Sequence, residues 1–226
     1  MSASITLFTH PWSRGRVARW MLHECDADYD VVVLDFGTTM KAPGYTALNP
    51  MGKVPAICHG DVVVTETGAI CAYLAEQFPS QGLVPPAGSP ERGTYYRWLF
   101  FVAGPLDAAA TAKQLNLLAP EDKRAQTGYG TYGDVMTTLE FAVRHALARG
   151  GFLCGHFTAA DLYLAAQLHY GAQFGGIEKR AVFEEYVQPI ISRPACVKAN
   201  ALDDALAHQS LDDVLDHQLQ AAAGGR

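Results

Sequence analysis

Two short stretches carry residue types suited to a charged, extended ligand. Asn49-Pro50-Met51-Gly52-Lys53-Val54-Pro55 leads into an apolar run and sets a proline at its first position. Proline has no N–H to give to a central ladder, so it belongs in a special turn, and a cis Val54–Pro55 bond is expected. Such a turn leaves the backbone N–H and C=O of Val54 facing outward, as a docking edge for another extended backbone. Further on, Thr65-Glu66-Thr67-Gly68 closes a hairpin and opens a helix. The first N–H groups of a helix lack intrahelical partners and carry the positive end of its dipole, which suits a carboxylate. Glu66 beside them suits an ammonium. One carboxylate and one ammonium together are the head of an α-amino acid. Taken alone, Glu66-Thr67 also reads as an ordinary helix cap.

Other patterns lead elsewhere. Gly128-Tyr129-Gly130-Thr131-Tyr132-Gly133 is a literal G-x-G-x-x-G. A dinucleotide fingerprint needs a buried strand just before it, and residues 121–127 are polar and charged, so a glycine-rich helix entrance is expected instead. The eight histidines include no His-x-x-x-His pair, and no metal site is expected. The five cysteines, Cys25, Cys58, Cys71, Cys154 and Cys196, are odd in number, widely spaced and without a Cys-x-x-Cys pair. They read as buried free thiols in a reducing compartment, so a cytoplasmic protein is expected.

The elements that must position these residues fall into two kinds. Ile5 and Leu7 mark a short strand ending at Thr9-His10-Pro11, and a helix runs from about Arg14 to His23 with Val17, Trp20, Met21 and Glu24 at helical spacing. Val31 to Leu34 is a β-branched run of the kind buried at a sheet centre. Two β-rich runs flank His59-Gly60-Asp61 as a hairpin, and a helix from Gly68 to Phe78 carries Ala69, Ile70, Tyr73 and Leu74 on one stripe. This order predicts a small mixed sheet with helices packed on it.

Pro79 to Pro90 is rich in Pro, Gly and Ser, a linker composition. Helical patterns alone follow: residues 92–118 with a break at Gly104-Pro105, then 134–148, then 162–174 behind a capping box at Thr158-Ala159-Ala160-Asp161, then 182–191 and 194–207. The last residues, Ala221 to Arg226, are expected to fray. The division is into residues 1–84, α/β, and 85–226, all-α.

At 226 residues, 49% hydrophobic and 18% charged, the chain has the apolar surface to fold into a substantial core. Its formal net charge of −6 offers no general attraction to nucleic acid. No apolar run approaches the ~20 residues of a membrane span, and residues 1–9 lack the basic head of a secretion signal.

On Asn49-Pro50-x-Gly52-Lys53-Val54-Pro55, Glu66-Thr67-Gly68-Ala69-Ile70 and Thr158-Ala159-Ala160-Asp161, the chain resembles the cytosolic glutathione transferases over essentially its whole length. The resemblance implies a thioredoxin-like domain followed by a helical bundle. It implies glutathione as co-substrate, with Val54 pairing its backbone with the cysteinyl part, Glu66 and Thr67 holding the γ-glutamyl head and Lys53 taking a carboxylate. A homodimer is implied as well.

The first strand ends Phe8-Thr9-His10, without the tyrosine of some classes, and no cysteine precedes Cys25. Serine-using, theta- and zeta-like classes place their serine six residues past a strand leucine, the separation of Leu7 and Ser13. Ser13 is therefore the expected donor to the glutathione sulfur, with His10 as the alternative, and an N-cap serine is the simpler role for it. The electrophile side is expected to be apolar: Trp12, Tyr96 and Phe100, the last two at four-residue spacing, as is Gly104 beyond them. The implied activity is conjugation of glutathione to a hydrophobic electrophile. Glutathione-dependent isomerisation, dehalogenation or disulfide reduction, and a non-catalytic binding protein, are the alternatives. Ser13-Arg14-Gly15 departs from the Ser-Ser-Cys run of the zeta-like isomerase.

Overall fold

The computed structural model describes the backbone of residues 4–223 and the side chains of residues 4–208. The tail from Ala221 to Arg226 therefore falls outside the residues with described side chains. Described residues up to Thr65, together with those from Pro194 onward, form one compact unit, and Glu66–Arg193 form a second.

The first unit runs β1 (Ile5–Thr9), α1 (Gly15–Glu24), β2 (Tyr29–Val33), α2 (Pro43–Thr46), β3 (Ala56–His59) and β4 (Val62–Thr65). The sheet order is β2-β1-β3-β4, with β1 parallel to β2 and antiparallel to β3, and β3 antiparallel to β4. Leu7 lies opposite both Val31 and Ile57, which fixes the register. Along β1, Ile5, Leu7 and Thr9 are buried while Thr6 and Phe8 are half-buried, so β1 holds the sheet centre.

That place was expected for Val31 to Leu34, and here the structure differs. β2 is an edge strand: Val31, Val32 and Val33 are 37–43% exposed, and only Leu34, beyond the strand, is buried. A β-branched run specifies extended backbone, but the order of strands is set by long-range pairing that no local pattern records.

The second unit is helical: α3 (Thr67–Gln77), α4 (Pro90–Phe101), α5 (Asp107–Gln114), α6 (Tyr132–Leu147), α7 (Ala159–Gln173) and α8 (Ala181–Ile191). Among the described residues no strand follows Thr65. Pro105 breaks the helical pattern as expected, but through a π-helical turn at Val102–Leu106 that joins α4 to α5. A wider turn accommodates the missing proline N–H without ending the helix. The glycine run at 128–133 is the entrance to α6, capped by Thr131 and Asp134, and a 3₁₀ segment, Glu121–Gln126, precedes it in place of a strand.

On α3 the buried face is Thr67, Ile70, Cys71, Leu74 and Ala75. Ala69 is exposed and Tyr73 half-buried, so the stripe is rotated from the expected one. The Pro/Gly-rich stretch after α3 is tied down: Leu83 is buried, its carbonyl accepts the Ala159 N–H at 2.9 Å, and Arg92 Nε donates to the Pro85 carbonyl at 2.8 Å. The chain then re-enters the first unit as α9 (Pro194–Ala223), which packs on α1 through a buried pair, Arg19 Nε to Asp203 Oδ1 at 3.0 Å.

Asp161 anchors the second unit. Burial pushes its carboxyl pKa up, and its two oxygens accept from Leu153 N, Thr158 N, Thr158 Oγ1 and Tyr186 Oη at 2.8–2.9 Å. Asp161→Ala leaves several buried donors unpaired and is expected to cost at least about 2 kcal/mol. Denaturant unfolding checks this, and an unchanged midpoint contradicts it.

Candidate functional site

The five residues between β1 and α1 form a turn folded around one carbonyl. The His10 carbonyl accepts the Ser13 N–H at 3.0 Å and the Ser13 hydroxyl at 2.7 Å. Ser13 Oγ in turn accepts the Gly15 N–H at 2.9 Å. The N-cap of α1 is Arg14, without a side-chain cap hydrogen bond, so Ser13 precedes the cap position expected for it, and it stays half-buried. α1 has no acidic residue in its first turn, so nothing there offsets the positive end of the helix.

The turn is close-packed on β1. A Cβ at position 15 would fall 1.8 Å from Thr9 Oγ1, so only glycine lets α1 start there.

His10 is buried, and its ring lies 4.3 Å from that of Phe36. Its Nδ1 accepts the Trp12 N–H at 3.1 Å, which puts the proton of the neutral ring on Nε2. Burial lowers its pKa against the opposing pull of Asp35.

The second turn works by a similar device. Asn49, itself buried, donates from Nδ2 to the Lys53 carbonyl at 2.8 Å, and Tyr45 Oη donates to the same oxygen at 2.5 Å. Asn49 Oδ1 also accepts the Met51 N–H at 3.1 Å. Gly52 has φ +55°, and a Cβ there would lie 2.6 Å from the Met40 carbonyl. With the Lys53 carbonyl held, the Lys53 residue is exposed. The Val54–Pro55 bond is cis, as the turn argument expects. The Val54 side chain packs against Leu34, Met40, Tyr45 and Ala56, and its backbone takes part in no backbone hydrogen bond among the described residues outside the helices and strands.

Glu66 opens the second unit at φ +67°, a conformation a non-glycine residue rarely takes and one that recurs at functional sites. It holds the N-cap position of α3, and its carbonyl accepts the Ile70 N–H at 2.9 Å. Its carboxylate makes no capping hydrogen bond and the residue is exposed, while Thr67 is buried. The reading of Glu66 as an ordinary side-chain cap is set aside.

Ser13, Lys53, Val54 and Trp12 therefore belong to the first unit, and Glu66, Thr67, Tyr96 and Phe100 to the second. On α4, Tyr96 and Phe100 are 40% and 72% exposed while Tyr95, Trp98 and Leu99 are buried, so the expected stripe is not core. Trp12 is 59% exposed. Tyr45 and Gly15, which shape the two turns, had no role read for them in the sequence, and Arg16, readable there as a surface arginine adding to the local positive field, instead donates from Nε to the Pro11 carbonyl at 2.6 Å. Asn49 and Gly52 lay within a quoted motif, whereas nothing local marked the need for glycine at 15.

All five cysteines are free, and burial pushes Cys25, Cys154 and Cys196 up to about 12. Among the described residues no group of three or more His, Cys, Asp or Glu is arranged to hold a metal ion. No helix there is long and apolar enough to cross a membrane.

Comparison with known proteins matches residues 3–76 to the family described as glutathione S-transferase, N-terminal domain. Glutathione S-transferase GstA of Escherichia coli O157:H7 is 29% identical over 213 residues, 91% of this chain and 98% of that protein. A crystal structure of a glutathione transferase from Methylococcus capsulatus is similar with a TM-score of 0.73 at 26% identity, covering 89% of this chain and 99% of that one. A sphingomonad glutathione S-transferase, solved in complex with glutathione, has a TM-score of 0.69 at 27% identity, covering 88% and 98%.

The lowered His10 pKa gives a pH dependence with a definite sign. Below an ordinary histidine pKa of ~6.5 the unfolded chain binds a proton that the folded chain refuses, so this contribution to stability falls as pH drops from there toward the folded value. NMR titration is expected to place the His10 midpoint below ~6.5 with the Nε2–H tautomer, and a midpoint above that value contradicts the buried-acceptor geometry.

Proposed function

The chain belongs to the glutathione S-transferase family, and from that premise we propose that it binds glutathione, holds its thiol as a thiolate and conjugates it to a hydrophobic electrophile. The observation that carries the reading is the hydrogen bonding of Ser13. A serine hydroxyl has one proton, and here it goes to the His10 carbonyl. That carbonyl also holds the Ser13 N–H at 3.0 Å. When the hydroxyl turns to a sulfur the carbonyl keeps a partner, so the exchange leaves no orphaned acceptor. Oγ continues to accept from Gly15 N while donating outward.

The electrostatics agree. A free thiol with pKa ~8.5 is only a few per cent thiolate at neutral pH, and a depression of about two units, ~2.7 kcal/mol, makes thiolate the majority. The serine proton and the N-terminal end of α1 both favour the anion.

The remaining roles follow the family pattern residue by residue. Val54 offers its backbone to the cysteinyl part, and Lys53 takes a carboxylate. Glu66 receives the ammonium of the γ-glutamyl head, and Thr67, with the first N–H groups of α3, receives its carboxylate. Trp12, Tyr96 and Phe100, exposed as they are, provide apolar surface for the electrophile. Cytoplasmic location and a homodimeric state belong to the same proposal and rest on the family. His10 is the second reading for the thiol donor, favoured by its Nε2–H tautomer.

Glu66→Ala is expected to weaken glutathione binding by ~1.5–3 kcal/mol, the worth of a charge-assisted hydrogen bond. Calorimetry showing unchanged affinity in a folded variant removes Glu66 from the site. Ser13→Ala is expected to lower kcat at least about tenfold while the glutathione Kd shifts less than about threefold. Full turnover in Ser13→Ala together with its loss in His10→Ala transfers the role to the histidine.

A further inference from the structure

Arg16 lies in the first turn of α1, and its side chain is only 15% exposed. Nε donates to the Pro11 carbonyl at 2.6 Å. Nη2 pairs with Asp204 Oδ1 at 2.7 Å, and Nη1 donates to Asn200 Oδ1 at 3.4 Å, both on α9. One planar group thus joins the turn that carries Ser13 to the C-terminal helix.

The contact falls on a sensitive peptide unit. The Pro11–Trp12 peptide has its C=O held by Arg16 and its N–H held by His10 Nδ1 at 3.1 Å. A peptide is planar, so pinning both polar ends fixes the orientation of the whole unit. That unit lies inside the loop closed by the His10 carbonyl and Ser13, and rotating it shifts both. We infer that Arg16 is a positioning residue for Ser13, aimed in turn by Asp204 and Asn200 of α9. The inference rests on the reading of Ser13 as the donor to sulfur.

The geometry also says which substitutions are informative. Lysine keeps the charge but has a point-like ammonium, and it cannot hold the Pro11 carbonyl and both α9 partners as a planar fork does. Asp204 is 60% exposed, so its pair adds little to global stability and its removal leaves a folded protein. A misaimed catalytic group affects the chemical step much more than the binding of the tripeptide.

The test is a double-mutant cycle on the full chain, reading kcat, the glutathione KM, and the pH at which bound glutathione ionises, followed by ultraviolet thiolate absorbance. Arg16→Lys is expected to lower kcat by about fivefold, leave KM within about twofold and raise the ionisation pH. Asp204→Asn is expected to move the same readouts in the same direction by a smaller factor, and it carries the test if Arg16→Lys does not fold. In a Ser13→Ala background either substitution is expected to cause no further loss, because there is no hydroxyl left to aim. Wild-type kcat and ionisation in Arg16→Lys, alongside a clear loss in Ser13→Ala, overturns the inference and leaves the serine reading intact. A loss that multiplies fully with that of Ser13→Ala also overturns it, since Arg16 then acts independently. If Ser13→Ala itself changes neither readout, the serine reading has failed and the inference falls with it.

Discussion

The carbonyl oxygen of His10 is the acceptor around which the end of β1 is built. It takes both the N–H and the hydroxyl of Ser13, and Ser13 Oγ then takes the Gly15 N–H, so the chain reverses and enters α1 within five residues. This works only because residue 15 has no side chain to meet Thr9, whose Oγ1 would be 1.8 Å from a Cβ there. The Lys53 carbonyl plays a comparable part in the other turn, held by Asn49 and Tyr45. In both places one carbonyl is tied into the protein by two donors, and that fixes the orientation of the turn around it.

Thiol chemistry explains why such groups matter. Burial pushes the thiols of Cys25, Cys154 and Cys196 up to about 12, and it does so at Cys196 even though Asn200 donates a hydrogen bond to the sulfur. A bound ligand thiol would face the same penalty unless donors and positive potential oppose it. In the proposed function, the Ser13 hydroxyl at the N-terminal end of α1 is the group that would supply both. The buried carboxylate Asp161 shows the same rule in the second unit, where four hydrogen bonds oppose what burial raises.

Much of this was legible in the sequence, and what was not has a common cause. The proline turn, the helix opening at Glu66 and the capping box at Thr158 are local patterns, and local hydrogen bonding realises them. The glycine run at 128–133 was likewise readable as a helix entrance from what precedes it. By contrast, Val31 to Leu34 signals extended backbone, yet its place at the edge depends on β1 pairing with β3. The rotated face of α3 depends on what packs around it. The need for glycine at 15 and the role of Arg16 come from contacts with β1 and with α9, and the latter lies more than 180 residues away. Composition alone does not reveal that the chain returns to its first unit after Arg193.

The central claim is that this fold lowers the pKa of a thiol it binds. The direct measurement is a pH titration of thiolate absorbance for glutathione bound to the unaltered protein. The account predicts a midpoint about two units below the ~8.5 of a free thiol, so that thiolate dominates at neutral pH. A midpoint at or above the free value would contradict it.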